Sequence, residues 1–141
     1  MWSSAAVPRP ASRDELLRVV DSYPRGIQAG DDALVQAADD CPRFENGYKT
    51  TDHCGKNMDM FKWPVTDRRY VVDTTTGVAM ASFFFHYRLG KGKMMQQGIR
   101  PANMTTGLWL HEYFKIQDGK IITIQAAMQT LAADYKDVWR E

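Results

Sequence analysis

The sequence predicts an α+β domain: helices near the amino terminus packed against a sheet built from successive hairpins. Three observations carry this reading. Asp118-Gly119 joins two apolar, β-branched runs within Gly107 to Met128, and Gly accepts the positive φ that a two-residue hairpin turn demands. A second pair of strand patterns, Tyr70 to Asp73 and Val78 to Leu89, flanks a connection at Thr74 to Gly77. A helix pattern opens at Ser12, an N-cap serine followed by Glu15 and then by Leu16, Leu17, Val20 and Tyr23.

Residues 1–11 carry Pro and Arg where a signal peptide needs an apolar stretch, and read as a disordered lead-in to a single domain over residues 12–141. Pro24 is expected to bend or end the first helix, because its ring removes a donor and crowds the preceding turn. Gly26 and Gly30 punctuate the next few residues, so a second short helix is expected from Asp31 or Asp32. The polar stretch after it holds one extended piece, Arg43 to Lys49, around an Asn46-Gly47 turn. Glu45, Tyr48, Lys49, Asp52, His53, Cys54 and Lys56 crowd this stretch, either as solvated loop residues or as site groups.

The strand Val78 to Leu89 carries Phe83, Phe84, Phe85 and Tyr87 and is apolar on both faces, which places it inside the sheet. His86, near its end, is a hydrogen-bonded core residue or a pocket-rim residue. Between Arg88 and Leu110, several glycines accompany Arg88, Lys91, Lys93 and Arg100 with no acid, a solvated loop or a lid that attracts an anionic or phenolic ligand. The tail after Gln129 reads as a helical turn packing Tyr135 or Trp139.

At 141 residues the chain has the length of one domain, and its composition, 44% hydrophobic and 25% charged, is that of a globular protein. A net charge of +1 points to neither nucleic acid nor a membrane surface, and no apolar run approaches the roughly 20 residues of a membrane span. Cys41 and Cys54 match no metal-ligand or redox spacing and read as idle thiols in a reducing cytoplasm. There is no phosphate loop, dinucleotide fingerprint or metal motif, so neither cofactor nor metal is expected.

In the Asp118-Gly119 hairpin, a two-residue loop places Ile116 opposite Ile121, Phe114 opposite Thr123, Glu112 opposite Gln125 and Leu110 opposite Ala127, all on one side. That side is apolar except at Glu112. A carboxyl between Leu110 and Phe114 must be hydrogen-bonded, protonated or on a wet pocket wall, unless a register slip or a bulge turns it to solvent. Trp109, His111, Tyr113, Ile122, Ile124, Ala126 and Met128 fall on the other side, enough apolar surface to suggest a homodimer or homotrimer.

The order of elements, with the stretches AGDDALVQAADDCPRFENG, RRYVVDTTTGVAMASFFFH and HEYFKIQDGKIITI, resembles the nuclear-transport-factor-2-like (NTF2-like, or SnoaL-like) superfamily across nearly the whole chain from Ser12. The resemblance implies a cone-shaped fold, a strongly curved mixed or antiparallel sheet with the N-terminal helices enclosing a pocket. In the ketosteroid-isomerase branch a carboxylate after the short helix is the general base and a carboxyl on the closing hairpin helps hold the oxyanion, which maps onto Glu45 and Glu112. That branch's phenolic donor on the first helix is not clearly matched, since Tyr23 is out of phase and adjoins Pro24. The ENG and RRYVVD…FFFH runs look similar to a subgroup containing γ-formaldehyde lyases, which convert lignin-derived diarylpropanes to stilbenes without a cofactor. The resemblance thus implies a cofactor-independent lyase for a small aromatic or apolar substrate, with Glu45 as base and Glu112 as acid or oxyanion donor. Tyr48 and His86 are second-line catalytic candidates, and His53, Phe84, Leu110 and Phe114 contact substrate. A polyketide-type cyclase or dehydratase, an isomerase, and a non-catalytic binding or dimerisation domain are the alternatives.

Overall fold

The computed structural model describes residues 10–87 and 106–131. One α-helix, α1 (Arg13–Ala29), lies across a six-stranded sheet of β1 (Arg43–Glu45), β2 (Tyr48–Thr51), β3 (Val65–Asp73), β4 (Val78–Tyr87), β5 (Thr106–Gln117) and β6 (Lys120–Leu131). The strand order is β2-β1-β6-β5-β4-β3; β1 runs parallel to β6 and every other pair is antiparallel. The core fills the space between α1 and the sheet face that carries Ala79, Ala81, Phe83, Phe85, Leu108, Leu110, Phe114 and Ile124.

Ser12 caps α1, its side chain accepting from the Glu15 backbone N–H at 3.2 Å. The helix then passes through Pro24 and ends at Gly30, which takes the left-handed conformation at φ 66°. An interior proline costs about 3 kcal/mol. Leu16, Val19 and Val20 are fully buried, each contributing about 1.5–3 kcal/mol, and Tyr23 and Ile27 extend the same face past the proline, so burial outweighs the break. The expected second helix is only a 3-10 turn at Asp32–Leu34. Val35 is extended, and the chain from Gln36 to Ala38 pairs with Ile121 instead, trading helical bonds for a sheet contact.

Both tight turns form as expected. Asn46 and Gly47, and likewise Asp118 and Gly119, all have positive φ, the pattern of hairpin loops whose twist matches the strands. β3 begins at Val65, earlier than the sequence suggested, with an irregularity between Thr66 and Arg69 where Asp67 has φ 57°. β4 is paired on both sides, as its apolar character required. The expected register of β5 and β6 is corrected. Ile116 pairs with Ile121, but Lys115 pairs with Thr123, so Ile122 is an extra residue on β6 and every later partner moves by one. Glu112 therefore faces Ala126, Phe114 faces Ile124 and Leu110 faces Met128. Ile124 and Ala126 become buried and Met128 packs on the core, which removes them from the outer face that suggested self-association.

Cys41 and Cys54 form a disulfide with Cα atoms 5.2 Å apart, where idle thiols were expected. The Asn46-Gly47 reversal brings the two residues together: the Cys41 N–H donates to the Asp52 carbonyl, and the Cys54 N–H donates to the Cys41 carbonyl. Such a bond removes the ground on which a reducing compartment was expected. No helix among the described residues is long and apolar enough to cross a membrane. The cationic loop after Arg88, the carboxy-terminal turn and most of the lead-in lie outside the described residues.

Gly77 and Gly47 predict a contrast. Both have positive φ, but a Cβ on Gly77 would stand 2.9 Å from the Ile116 carbonyl oxygen, whereas one on Gly47 meets nothing within 4 Å among the described residues. Gly47→Ala should cost about 1–2 kcal/mol from φ alone, and Gly77→Ala clearly more. Equal losses in urea melts would show that the Gly77 approach is not tight.

Candidate active site

The inner face of β5 carries Leu110, Glu112, Phe114 and Ile116, and Glu112 is 0% exposed. Its Oε1 accepts from Arg43 Nη2 at 2.6 Å, a contact between residues 69 apart in sequence. Arg43 is itself 7% exposed and reaches this position because β1 lies beside β6, with Arg43 opposite Ile124. The same guanidinium forms an ion pair with Glu45, two residues along the same strand. One cation is thus clasped by two carboxyls of unequal burial, with side-chain exposures of 0% for Glu112 and 13% for Glu45.

Tyr23 completes the cluster from α1. Its ring meets Phe114 edge-on at 5.3 Å, and its phenol lies beside the Arg43 guanidinium. Arg43 has no lone pair to offer, so toward it the Tyr23 oxygen can only accept, which leaves the phenol hydrogen free to donate elsewhere. Burial raises the Tyr23 pKa far above the ordinary phenol range, and Arg43 only partly opposes it. The group is a neutral donor rather than a base. Burial alone would lower the Arg43 pKa, but Tyr23 and Glu112 outweigh it and hold the guanidinium charged. Burial raises the Glu112 pKa and Arg43 pulls it back. Burial wins because Arg43 divides its charge between two carboxyls and Glu112 Oε2 has no hydrogen-bond partner among the described residues; Arg43 Nε has none there either.

Tyr23, Arg43 and Glu45 border a cavity of about 30 Å³ whose other walls are Ile27, Phe61, Phe83, Phe85, Leu108, Leu110 and Met128. That is room for about two waters. Of the residues expected at the site, Glu45 and Leu110 line this cavity. Glu112 stands behind Arg43 and Phe114 backs Tyr23.

Four others are elsewhere. Tyr48 is 79% exposed on β2. His53 is exposed, with Nδ1 2.6 Å from the Asp39 carbonyl oxygen. His86 is exposed and pairs through Nε2 with Thr66 Oγ1 at 2.8 Å. Phe84 faces the outer side, its ring against His86 and Trp109, because Phe83 and Phe85 hold the inner positions on a strand of period two. Sequence reasoning missed Arg43 entirely and set Tyr23 aside. The signal available for Tyr23 was its place on the stripe Leu16, Val20, Tyr23, Ile27, which Pro24 seemed to interrupt. A buried carboxyl also implies a cation somewhere, but nothing local singled out Arg43.

A curved, unclosed mixed sheet with a helix across it and a polar cluster at the mouth of its core defines an NTF2-like fold. Solved structures agree. An LEH-like epoxide hydrolase of M. tuberculosis superposes with a TM-score of 0.60 at 14% identity, covering 82% of this chain and 84% of that one. The epoxide hydrolase/cyclase-like enzyme SalBIII, concerned with pyran ring formation in salinomycin, gives 0.63 at 8% identity over 84% and 93%. An NTF2-like protein of unknown function from Cytophaga hutchinsonii gives 0.56 at 5% identity over 81% and 89%. At these identities the likeness shows the fold alone. The chain belongs to the family described as Domain of unknown function (DUF8021), which it matches over residues 9–128. No curated protein matches it.

The raised Glu112 pKa has a sign that can be measured. The unfolded chain releases this proton near pH 4.3 while the folded chain still holds it. The stability contributed is full below that pH and is lost as pH rises through the folded pKa, at about 1.4 kcal/mol per pH unit between the two values. Wild type should therefore lose stability relative to Glu112→Gln as denaturant melts are moved from pH 4 to pH 8. A relative gain would mean that Arg43 wins over burial.

Proposed function

We propose that the chain is a cofactor-independent lyase that eliminates from a small aromatic or apolar substrate by general acid–base chemistry. The carrying observation is the Arg43 guanidinium, held by two carboxyls of unequal burial at the wall of an apolar cavity. Glu45 is the group placed to move a proton. It faces the cavity and is the less buried of the two. Tyr23 and Arg43 hold the reacting oxygen by hydrogen bonds, and Glu112 positions Arg43 rather than touching substrate.

For an aryl 1,3-diol, Glu45 takes the proton of the terminal hydroxyl, the bond to that carbon breaks, and formaldehyde leaves. The electron pair forms the new double bond as the benzylic hydroxyl departs, and Glu45 returns its proton to that oxygen to give water. At about 30 Å³ the cavity has to widen to admit an aryl ring, and a one-ring substrate asks less widening of it than a diarylpropane. Self-association through the outer sheet face belongs to the same proposal, resting now on exposed Val71 and Tyr113.

A second reading is hydration or ring closure on an epoxide, in line with what the M. tuberculosis enzyme and SalBIII are named for. Incubation with 1-phenylpropane-1,3-diol, its diaryl counterpart and a styrene oxide separates the readings. Formaldehyde and styrene from the first substrate, with a loss of roughly 10²- to 10⁴-fold in Glu45→Gln, is the expected result. Diol formation from the epoxide alone would establish the second reading. Formaldehyde release undiminished in Glu45→Gln would remove Glu45 from the mechanism.

A further inference from the structure

We infer that the Cys41–Cys54 disulfide is a positioning element of the site: by closing the base of the β1–β2 hairpin it limits how far the hairpin can depart from β6, so that Arg43 and Glu45 stay at the cavity. The inference rests on the proposed function only in treating those two residues as the site. The bond joins residues 13 apart, and the segment it closes contains both charged residues and the whole β1–β2 hairpin. Both cysteines are buried, at 0% and 2% exposure, and Arg43 lies two residues beyond Cys41.

Apart from the buried Arg43–Glu112 ion pair, the hairpin has little else to hold it in place. β1 is three residues long and meets β6 in three pairs, Arg43 with Ile124, Phe44 with Gln125 and Glu45 with Ala126. The cross-links around them are the Ile124 N–H to the Pro42 carbonyl, Thr123 Oγ1 to the same carbonyl, the Asn46 N–H to the Ala126 carbonyl, and the Met128 N–H to Asn46 Oδ1. β2 is an edge strand whose Tyr48, Lys49 and Thr50 are exposed and add no core contact. The pairing is also irregular between Arg43 and Phe44, where the ladder to β2 slips. Against this short ladder stands a buried guanidinium that water would solvate well. Closing the 13-residue segment limits the conformations the hairpin could reach if it parted from β6, which favours the docked form.

The test compares the full oxidised chain with Cys41→Ala/Cys54→Ala and with the chain reduced by dithiothreitol. The dithiol supplies two electrons and two protons, giving two thiols and its own cyclic disulfide. Amide exchange is read at Asn46 and Ile124, whose N–H groups tie β1 to β6, and at Phe114 in the middle of β5. Loss of the bond should speed exchange at Asn46 and Ile124 at least about tenfold and leave Phe114 unchanged. The Glu112 carboxyl, followed by its carbon-13 shift, should titrate at a different pH once the guanidinium beside it withdraws. Exchange that quickens equally at all three amides, or not at all, or a Glu112 titration that stays put, would overturn the inference. So would failure of both altered forms to fold, since the bond would then hold the whole sheet. Neither readout needs a substrate, so loss of the proposed lyase activity and loss of this inference are separate results.

Discussion

A carboxyl at the centre of an apolar sheet face has to be met by a donor, and in this protein the Arg43 guanidinium meets Glu112 across a distance of 69 residues in sequence. Much of the architecture depends on that pairing. β1 must lie parallel to β6 for Arg43 to reach over the sheet, and α1 must cross close enough for Tyr23 to share the guanidinium. Removing one member would leave a buried charge or dipole without its partner, which costs more than the pair contributes when intact.

The extra residue at Ile122 decides which side chains share that face. Without it, Gln125 would stand opposite Glu112 and Ile124 would point outward; with it, Ala126 leaves room beside Glu112 and Ile124 joins the core. A bulge also bends the strand that carries it, and a second irregularity lies between Thr66 and Arg69 in β3. Together they curve the sheet around the cavity while leaving it unclosed, with β2 and β3 at its edges.

Local signals in the sequence located most of the elements but only part of the site. The Asp118-Gly119 and Asn46-Gly47 turns, the Ser12 cap and the interior place of β4 were all legible, because each depends on residues within a few positions. Glu112 was legible as an anomaly for the same reason, flanked by Leu110 and Phe114. Arg43 was not, since it is one cation in a polar stretch and its partner is distant. The disulfide was hidden too, because its spacing matches no motif and only the hairpin between the cysteines makes the distance short. Pro24 misled in the other direction: its local cost was correctly read, but the burial of Leu16, Val19 and Val20 that offsets it is a tertiary fact. Phe84 and Phe83 could not be told apart until the pairing of β4 with β5 fixed the inner face.

If Arg43 and Glu112 act as one unit, a double-mutant cycle measures their coupling directly. Arg43→Met and Glu112→Leu each strand a buried partner, while the double variant replaces the pair by apolar groups of similar size. The double variant should be more stable than the sum of the single losses allows, with a coupling of at least about 1.5 kcal/mol. Losses that simply add, within about 0.5 kcal/mol, would contradict the pairing as the constraint on which the site is built.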